Sequence, residues 1–379
     1  DRQLAQTLLP FLNLYFRDPM KLTLISSSFK AGDSERVVSN LANYWAASGW
    51  KITLITFDRG SEYPFYDLDP RIDLRPLGRE SSNQRNHWWR IFTIRKAIKT
   101  SRPDVVISFV NTTNILTLLA CLGLRIPTIV TEHVHPEMGE LSKTERFLQK
   151  WTYRLADLVT VQTYSGLSCF PAVHGYRTAV LPNPIEIPNS DTMESLFFTD
   201  ERHLLAIGEL IPQKGFDLLI RAFAKVCAKH PEWILTILGE GEMRAELEDL
   251  CSQLRLEDVV RMPGTMKNID PYLRKADIFA LTSRFEGFPV TLGKAMACGV
   301  PVIATDCRSG PREMIHHDID GFLVAPGSVD ALATGLNALM SDPAKRQQFA
   351  HYAPRIIDRF GTDRVMGTWN SAIKQVAGY

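Results

Sequence analysis

The 379-residue chain has no run of about 18 or more apolar residues, so no segment can cross a bilayer as a helix. It also lacks a dominant charge: 43 Lys and Arg stand against 42 Asp and Glu. A net charge of +1 leaves no electrostatic footprint for nucleic acid, and no nucleic-acid partner is expected. Its six cysteines (Cys121, Cys169, Cys227, Cys251, Cys298 and Cys307) form no C-x-x-C pair, and no histidine cluster stands at metal-ligand spacing. Most lie in apolar or helical surroundings, which favours buried thiols in a reducing compartment over a disulfide framework. No resident metal is expected.

What is present is a rhythm. Hydrophobic residues make up 45% and charged residues 22%, an ordinary globular balance. The length suits two domains of about 150–200 residues. Short β-branched runs alternate with helical stretches: strands at 21–26, 51–57, 104–109, 128–131 and 158–162, with helices at 34–48, 90–100 and 113–122. A second series has strands at 203–207, 233–238, 259–262, 278–281 and 301–304. Its helices cover 216–229, 242–254, 328–340 and 363–376. Alternating βα units predict an α/β chain with doubly wound parallel sheets, which bind ligands at the carboxyl ends of their strands.

Between the series, Leu181 to Pro188 holds three prolines in seven residues and reads as an extended linker. The expected division is an N-terminal domain over 20–188, a C-terminal domain over 189–355 and a helical segment over 356–379. Residues 1–19 are set apart, because a strand opens directly after Met20. Asn13-Leu14-Tyr15-Phe16 resembles a degraded protease-site linker of recombinant origin; a native amphipathic leader is the other reading.

Three segments follow strands and carry chemistry. Gly208 to Gly215 contains Lys214 and could present backbone amides and an ammonium to a phosphate; a plain βα turn with a solvated lysine is the alternative. Gly239-Glu240-Gly241 has no third glycine at the fingerprint spacing and reads better as a turn. Glu286-Gly287-Phe288-Pro289 opens a helix that stops at Gly299, with Pro301 beyond. It places a carboxylate and helix-start amides at a strand's carboxyl end, suited to sugar hydroxyls and phosphate. A capped helix packing on the sheet fits equally well.

Together the segments are more specific. Ser283-Arg284-Phe285-Glu286-Gly287-Phe288-Pro289 through Ala295-Met296-Ala297-Cys298-Gly299-Val300-Pro301-Val302 resembles the donor-site signature of the family 4 retaining glycosyltransferases. Gln213 to Ile220, Gly239-Glu240-Gly241, Ser309-Gly310-Pro311-Arg312-Glu313 and Asp320-Gly321-Phe322 match it in order and spacing. Gly32 and Ser34 to Val38 resemble the family's first-domain glycine loop, and Asn183-Pro184 its hinge. The resemblance covers about residues 20–375. It implies two facing Rossmann-like domains (GT-B) with a cleft between them, the first (20–188) on the acceptor side and the second (189–355) holding the donor, with the helix over 356–379 returning to the first. It also implies a nucleotide-sugar donor with UDP as the favoured base, and no metal. By position, it implies that Lys214 contacts the donor pyrophosphate with Gly208 and Gly239 nearby. Glu286 would hold sugar hydroxyls, and the amides of Gly287, Phe288 and Pro289 would meet the distal phosphate. Gly32 would let its loop approach that phosphate. His133 matches a histidine that faces the reacting sugar; a purely structural histidine is the other reading.

Three residues depart from the pattern. Lys294 stands where the signature's second glutamate would meet ribose hydroxyls, and Gly293 precedes it. Glu209 replaces a common arginine, and Asp33 a glycine. A compensating Glu209–Lys294 pair is one expectation; an impaired, nucleotide-sugar-binding paralogue is another. A sugar-nucleotide epimerase and, more remotely, a nicotinamide dehydrogenase are the rival enzymes. Finally, Arg85, His87, Arg90, Arg95, Lys96, Lys99 and Arg102 surround Trp88, Trp89 and Ile91. Such a basic amphipathic segment suits an anionic membrane surface, or else a solvated helix with a packed face. The resemblance adds lipid-linked saccharide acceptors and a cytoplasmic enzyme peripheral to the inner face of the membrane.

Overall fold

A computed structural model of the chain describes residues 19–29, 32–58, 64–78, 87–133, 142–170, 175, 177–187 and 201–379. The alternatives for residues 1–18, Arg85 of the basic segment and the side chain of Asp33 fall outside the described residues.

The first sheet has seven strands: β1 (Lys21–Ile25), β2 (Lys51–Thr56), β3 (Asp73–Pro76), β4 (Val105–Phe109), β5 (Thr128–Glu132), β6 (Leu158–Val161) and β7 (Thr178–Val180). Their order is β3-β2-β1-β4-β5-β6-β7. β1 pairs in parallel on both sides, with Leu24 opposite Leu54 and Ile107. The helices between them are α1 (Asp33–Ala47), α2 (His87–Ser101), α3 (Asn111–Cys121), α4 (Lys143–Thr152) and α5 (Tyr164–Leu167).

The second sheet has six strands, all paired in parallel: β8 (Arg202–Ile207), β9 (Trp233–Leu238), β10 (Val260–Gly264), β11 (Ile278–Leu281), β12 (Val302–Thr305) and β13 (Phe322–Val324). The order is β10-β9-β8-β11-β12-β13, so the winding reverses between β8 and β11. Its helices are α6 (Phe216–Val226), α7 (Arg244–Leu254), α8 (Asp270–Lys275), α9 (Val290–Ala297), α10 (Pro311–Met314), α11 (Val329–Ser341), α12 (Pro343–Tyr352), α13 (Ile357–Phe360) and α14 (Thr362–Ala377).

Helices cover both faces of the second sheet, and this explains its unbroken apolar strands. Successive side chains alternate faces. Leu204 and Ala206 enter a core with Phe216, Leu219 and Phe223 of α6, whereas Leu205 enters a second core with Leu292 and Ala295 of α9. The buried residues of α6 fall at the i, i+3, i+4, i+7 spacing of an amphipathic helix. In the first sheet, Ile25, Ile55 and Val106 pack with Ile94 and Ile98 of α2 and Leu116 of α3.

Contacts group the chain into two compact units. One comprises Asp1–Thr131, Lys143–Leu158 and Ile373–Tyr379; the other comprises Glu132–Ser142 and Val159–Ala372. Among the described residues, no helix is long and apolar enough to cross a membrane. Cys251 and Cys307 are buried, and burial pushes each thiol up to about 11.

Candidate active site

The carboxyl ends of β8 and β11 lie side by side at the reversal of the second sheet, where open α/β sheets form a ligand crevice. From β8 the chain turns through Gly208 to a short 3-10 turn, Pro212–Lys214. From β11 it turns through Thr282 and Ser283 to Glu286. The two loops are stitched together. Thr282 Oγ1 donates to the Lys214 carbonyl at 3.0 Å, the Arg284 amide to the Gln213 carbonyl at 2.7 Å, and Gln213 Nε2 to the Phe285 carbonyl at 3.1 Å.

This stitching sets Lys214 Nζ 2.9 Å from Glu286 Oε1, which also accepts a 2.6 Å bond from Ser283 Oγ. Both charged residues are buried. Glu286 Oε2 has no hydrogen-bond partner among the described residues. Gly208 borders the lysine stem: a Cβ there would lie 3.3 Å from Lys214 Cδ. Gly239 follows β9 with φ +154, and a Cβ on it would stand 1.8 Å from the Gly208 carbonyl oxygen. Only glycine permits both that conformation and that approach.

Gly287 begins the turn into α9. A Cβ on it would lie 2.1 Å from the carbonyl oxygen of His133, the residue that follows β5. The imidazole is buried, with Nδ1 2.8 Å from Gln162 Nε2; the same amide donates to Asn183 Oδ1 at 3.1 Å. With the amide assigned as donor, Nδ1 accepts and the ring proton sits on Nε2. Burial pushes the histidine's pKa down to about 4, so the ring is neutral near pH 7. The Phe288 side chain turns into the core, edge-on to Phe360 at 5.2 Å. Pro289 precedes α9; among the described residues no side chain caps its first amides, and the positive end of a helix favours an anion. Ser309 Oγ donates to the Gly287 carbonyl at 3.1 Å and lies 2.9 Å from Thr163 Oγ1. Both carboxylate oxygens of Glu313 accept 3.0 Å bonds from the amides of Tyr164 and Ser165.

The structure corrects the expected Glu209–Lys294 pair. Lys294 is buried in α9, and its Nζ lies 3.4 Å from Asp270 Oδ1 on α8; Glu209 is exposed. A buried ammonium takes the carboxylate that the fold brings within reach. Gly293 is more than a weak helix residue. A Cβ there would stand 2.2 Å from Ile185 Cδ1, so the glycine makes room for the proline-rich segment. Gly32 belongs to the first unit, whereas His133 and the other candidate residues belong to the second. It has extended φ, −168, and precedes α1; its carbonyl accepts from the Tyr66 hydroxyl at 3.2 Å. Sequence reasoning passed over Ser283, Gln162 and Asp270. Gln162 directly follows β6 and Ser283 stands two residues after β11, positions that place polar groups at the carboxyl edge.

The family model described as "Glycosyl transferases group 1" matches residues 190–356, and that described as "Glycosyltransferase Family 4" matches residues 34–187. The chain is 27% identical to the amylovoran biosynthesis glycosyltransferase AmsD of Erwinia amylovora, over 93% of this chain and 99% of that protein. It is 28% identical to a Campylobacter jejuni α-1,4-N-acetyl-D-galactosaminyltransferase, over 94% and 99% respectively. The name of that relative specifies an undecaprenol-diphosphate-linked saccharide. Among solved structures, sucrose-phosphate synthase from Thermosynechococcus elongatus superposes with TM-score 0.79 at 19% identity, over 94% of this chain and 99% of that one. Anabaena HepE in complex with UDP superposes with TM-score 0.78 at 22% identity, over 94% and 100%. The fold is therefore GT-B, and the chain belongs to the family 4, group 1 glycosyltransferases.

Proposed function

We propose that the chain transfers a hexosyl residue from a UDP-sugar, with retention of anomeric configuration, to a hydroxyl of a lipid-linked saccharide in glycan assembly. The observation that carries this reading is the Lys214–Glu286–Ser283 cluster at the β8/β11 reversal. Its ammonium suits the donor diphosphate, and its second carboxylate oxygen can accept from sugar hydroxyls. UDP is favoured because HepE was solved with UDP, and a lipid-linked acceptor because the Campylobacter relative is named for one.

As the glycosidic bond breaks, charge grows on the leaving diphosphate. Lys214 and the first amides of α9 meet that charge, in the manner of an oxyanion hole. No metal is part of the proposal. Neutral His133 serves as a hydrogen-bond donor to the reacting sugar rather than as a base. The acceptor hydroxyl attacks from the face the diphosphate leaves, and a departing phosphate oxygen takes its proton. The enzyme would work in the cytoplasm, peripheral to the membrane's inner face.

Calorimetric titration with UDP, followed by product analysis with a UDP-hexose and a lipid-linked saccharide, tests this. Retained configuration in a glycosylated acceptor is the expected result. Absence of UDP binding, or an inverted product, would overturn it. UDP binding without transfer would mark a nucleotide-sugar-binding protein instead, and an epimerised free UDP-sugar would mark an epimerase.

A further inference from the structure

Helix α4 is oriented against the usual logic of a globular protein. An amphipathic helix turns its apolar stripe to the core. The buried residues of α4 are Gln149 and Thr152, while Phe147 is 68% exposed and Trp151 62%. Leu148 and, just beyond the helix, Leu155 are exposed as well. Phe147 and Trp151 stand four residues apart in one row, and Leu155 follows in the 3-10 turn Tyr153–Leu155. Arg146 and Lys150 repeat that spacing one residue earlier in an adjoining exposed row, and Arg154 is exposed in the same turn. Glu145 is the one acidic residue of the helix.

The neighbouring helices extend the pattern. α3 packs against both α2 and α4. α2 exposes Trp88 and Phe92, again four residues apart, beside exposed Lys96 and Lys99, and Leu122 at the end of α3 is exposed. The whole chain carries only +1, so these basic rows are a local concentration.

We propose that α4 is an interfacial helix that seats the protein on an anionic lipid bilayer. Phe147, Trp151 and Leu155 enter the acyl boundary, and Arg146, Lys150 and Arg154 meet lipid phosphates. Charge favours this occupant over a second copy: two such faces meeting would oppose basic rows. The inference rests only on the peripheral-membrane part of the functional reading and adds to it an element that α2 alone does not supply.

The test is flotation of the full chain with phosphatidylcholine vesicles, with and without phosphatidylglycerol, at low and high salt. The expected result is binding to the anionic vesicles alone, weakened by salt. Phe147→Ser with Trp151→Ser lowers the partition coefficient about tenfold or more. Arg146→Gln with Lys150→Gln flattens the salt dependence. UDP affinity and the thermal midpoint, measured on both variants, remain as in the parent, which separates lost docking from misfolding and from failure of the donor reading. Unchanged vesicle binding by the aromatic variant overturns the proposal, as does no binding by the parent. A parent dimer that the aromatic changes convert to a monomer, with no affinity for lipid, would assign the face to a second copy.

Discussion

Removing the ammonium of Lys214 separates two roles that the site combines. The side chains of Lys214 and Glu286 are 10% and 7% exposed, so water screens the pair little. Lys214→Met keeps the stem that lies along Gly208 but leaves a buried carboxylate with Ser283 as its remaining donor among the described residues. Breaking such a pair costs about 3–5 kcal/mol, whereas Glu286→Gln costs less because its amide oxygen can still accept from the ammonium. Replacing both, as Lys214→Met with Glu286→Leu, brings stability back to within ~1–2 kcal/mol of the parent, the residue being the acceptor lost to Ser283. UDP affinity behaves differently. It falls at least about tenfold in Lys214→Met, as for loss of a charge-assisted phosphate contact, and stays low in the double variant. Urea unfolding followed by circular dichroism gives the stabilities, and calorimetric titration gives the affinities. A Lys214→Met protein as stable as the parent, or a double variant that regains UDP binding, would refute the reasoning.

Three further outcomes are expected. The pKa of His133 is lowered in the folded protein from an ordinary 6.5 to about 4, so its contribution is complete above pH 6.5 and is lost as pH falls toward 4. Between pH 7 and 4.5 the parent should lose ~2.5 kcal/mol more stability than His133→Gln; parallel curves in urea titrations would exclude this. Gly293→Ala and Ile185→Ala should couple by at least ~1 kcal/mol, because the added methyl occupies space the isoleucine vacates; additive losses of stability would show that the two do not compete for it. Lys294→Glu places like charges beside each other at Asp270 and should cost roughly 3 kcal/mol, with recovery on adding Asp270→Lys. Failure of the reversed pair to raise the thermal midpoint would count against that contact.

The parallel sheets were legible because buried strands must be apolar on both faces. Trp233–Leu238 and Val105–Phe109 announce themselves in this way. β3, β7 and β13 escaped notice because they lie at sheet edges, are three or four residues long and are part-exposed. α4 escaped because its apolar residues face outward, so its pattern matched no core. At the site, the turn chemistry around Lys214 and Glu286 was readable, but their 2.9 Å pairing was not, since 72 residues separate them. The partner of Lys294 was misjudged for the same reason: Asp270 reaches it through packing of α8 on α9, which no local spacing reveals.

The double acceptance by Glu313 bears on how inactive variants are read. Its carboxylate fastens the start of α5, and Ser309 joins Thr163 to the carbonyl of Gly287. Loss of either residue would disarm the enzyme by letting a scaffold slip, not by removing a participant in bond exchange. A mutational screen scored on product alone would therefore rank Glu313 beside Glu286 and draw the reactive centre too large. Only a parallel screen for melting would return it to its true outline.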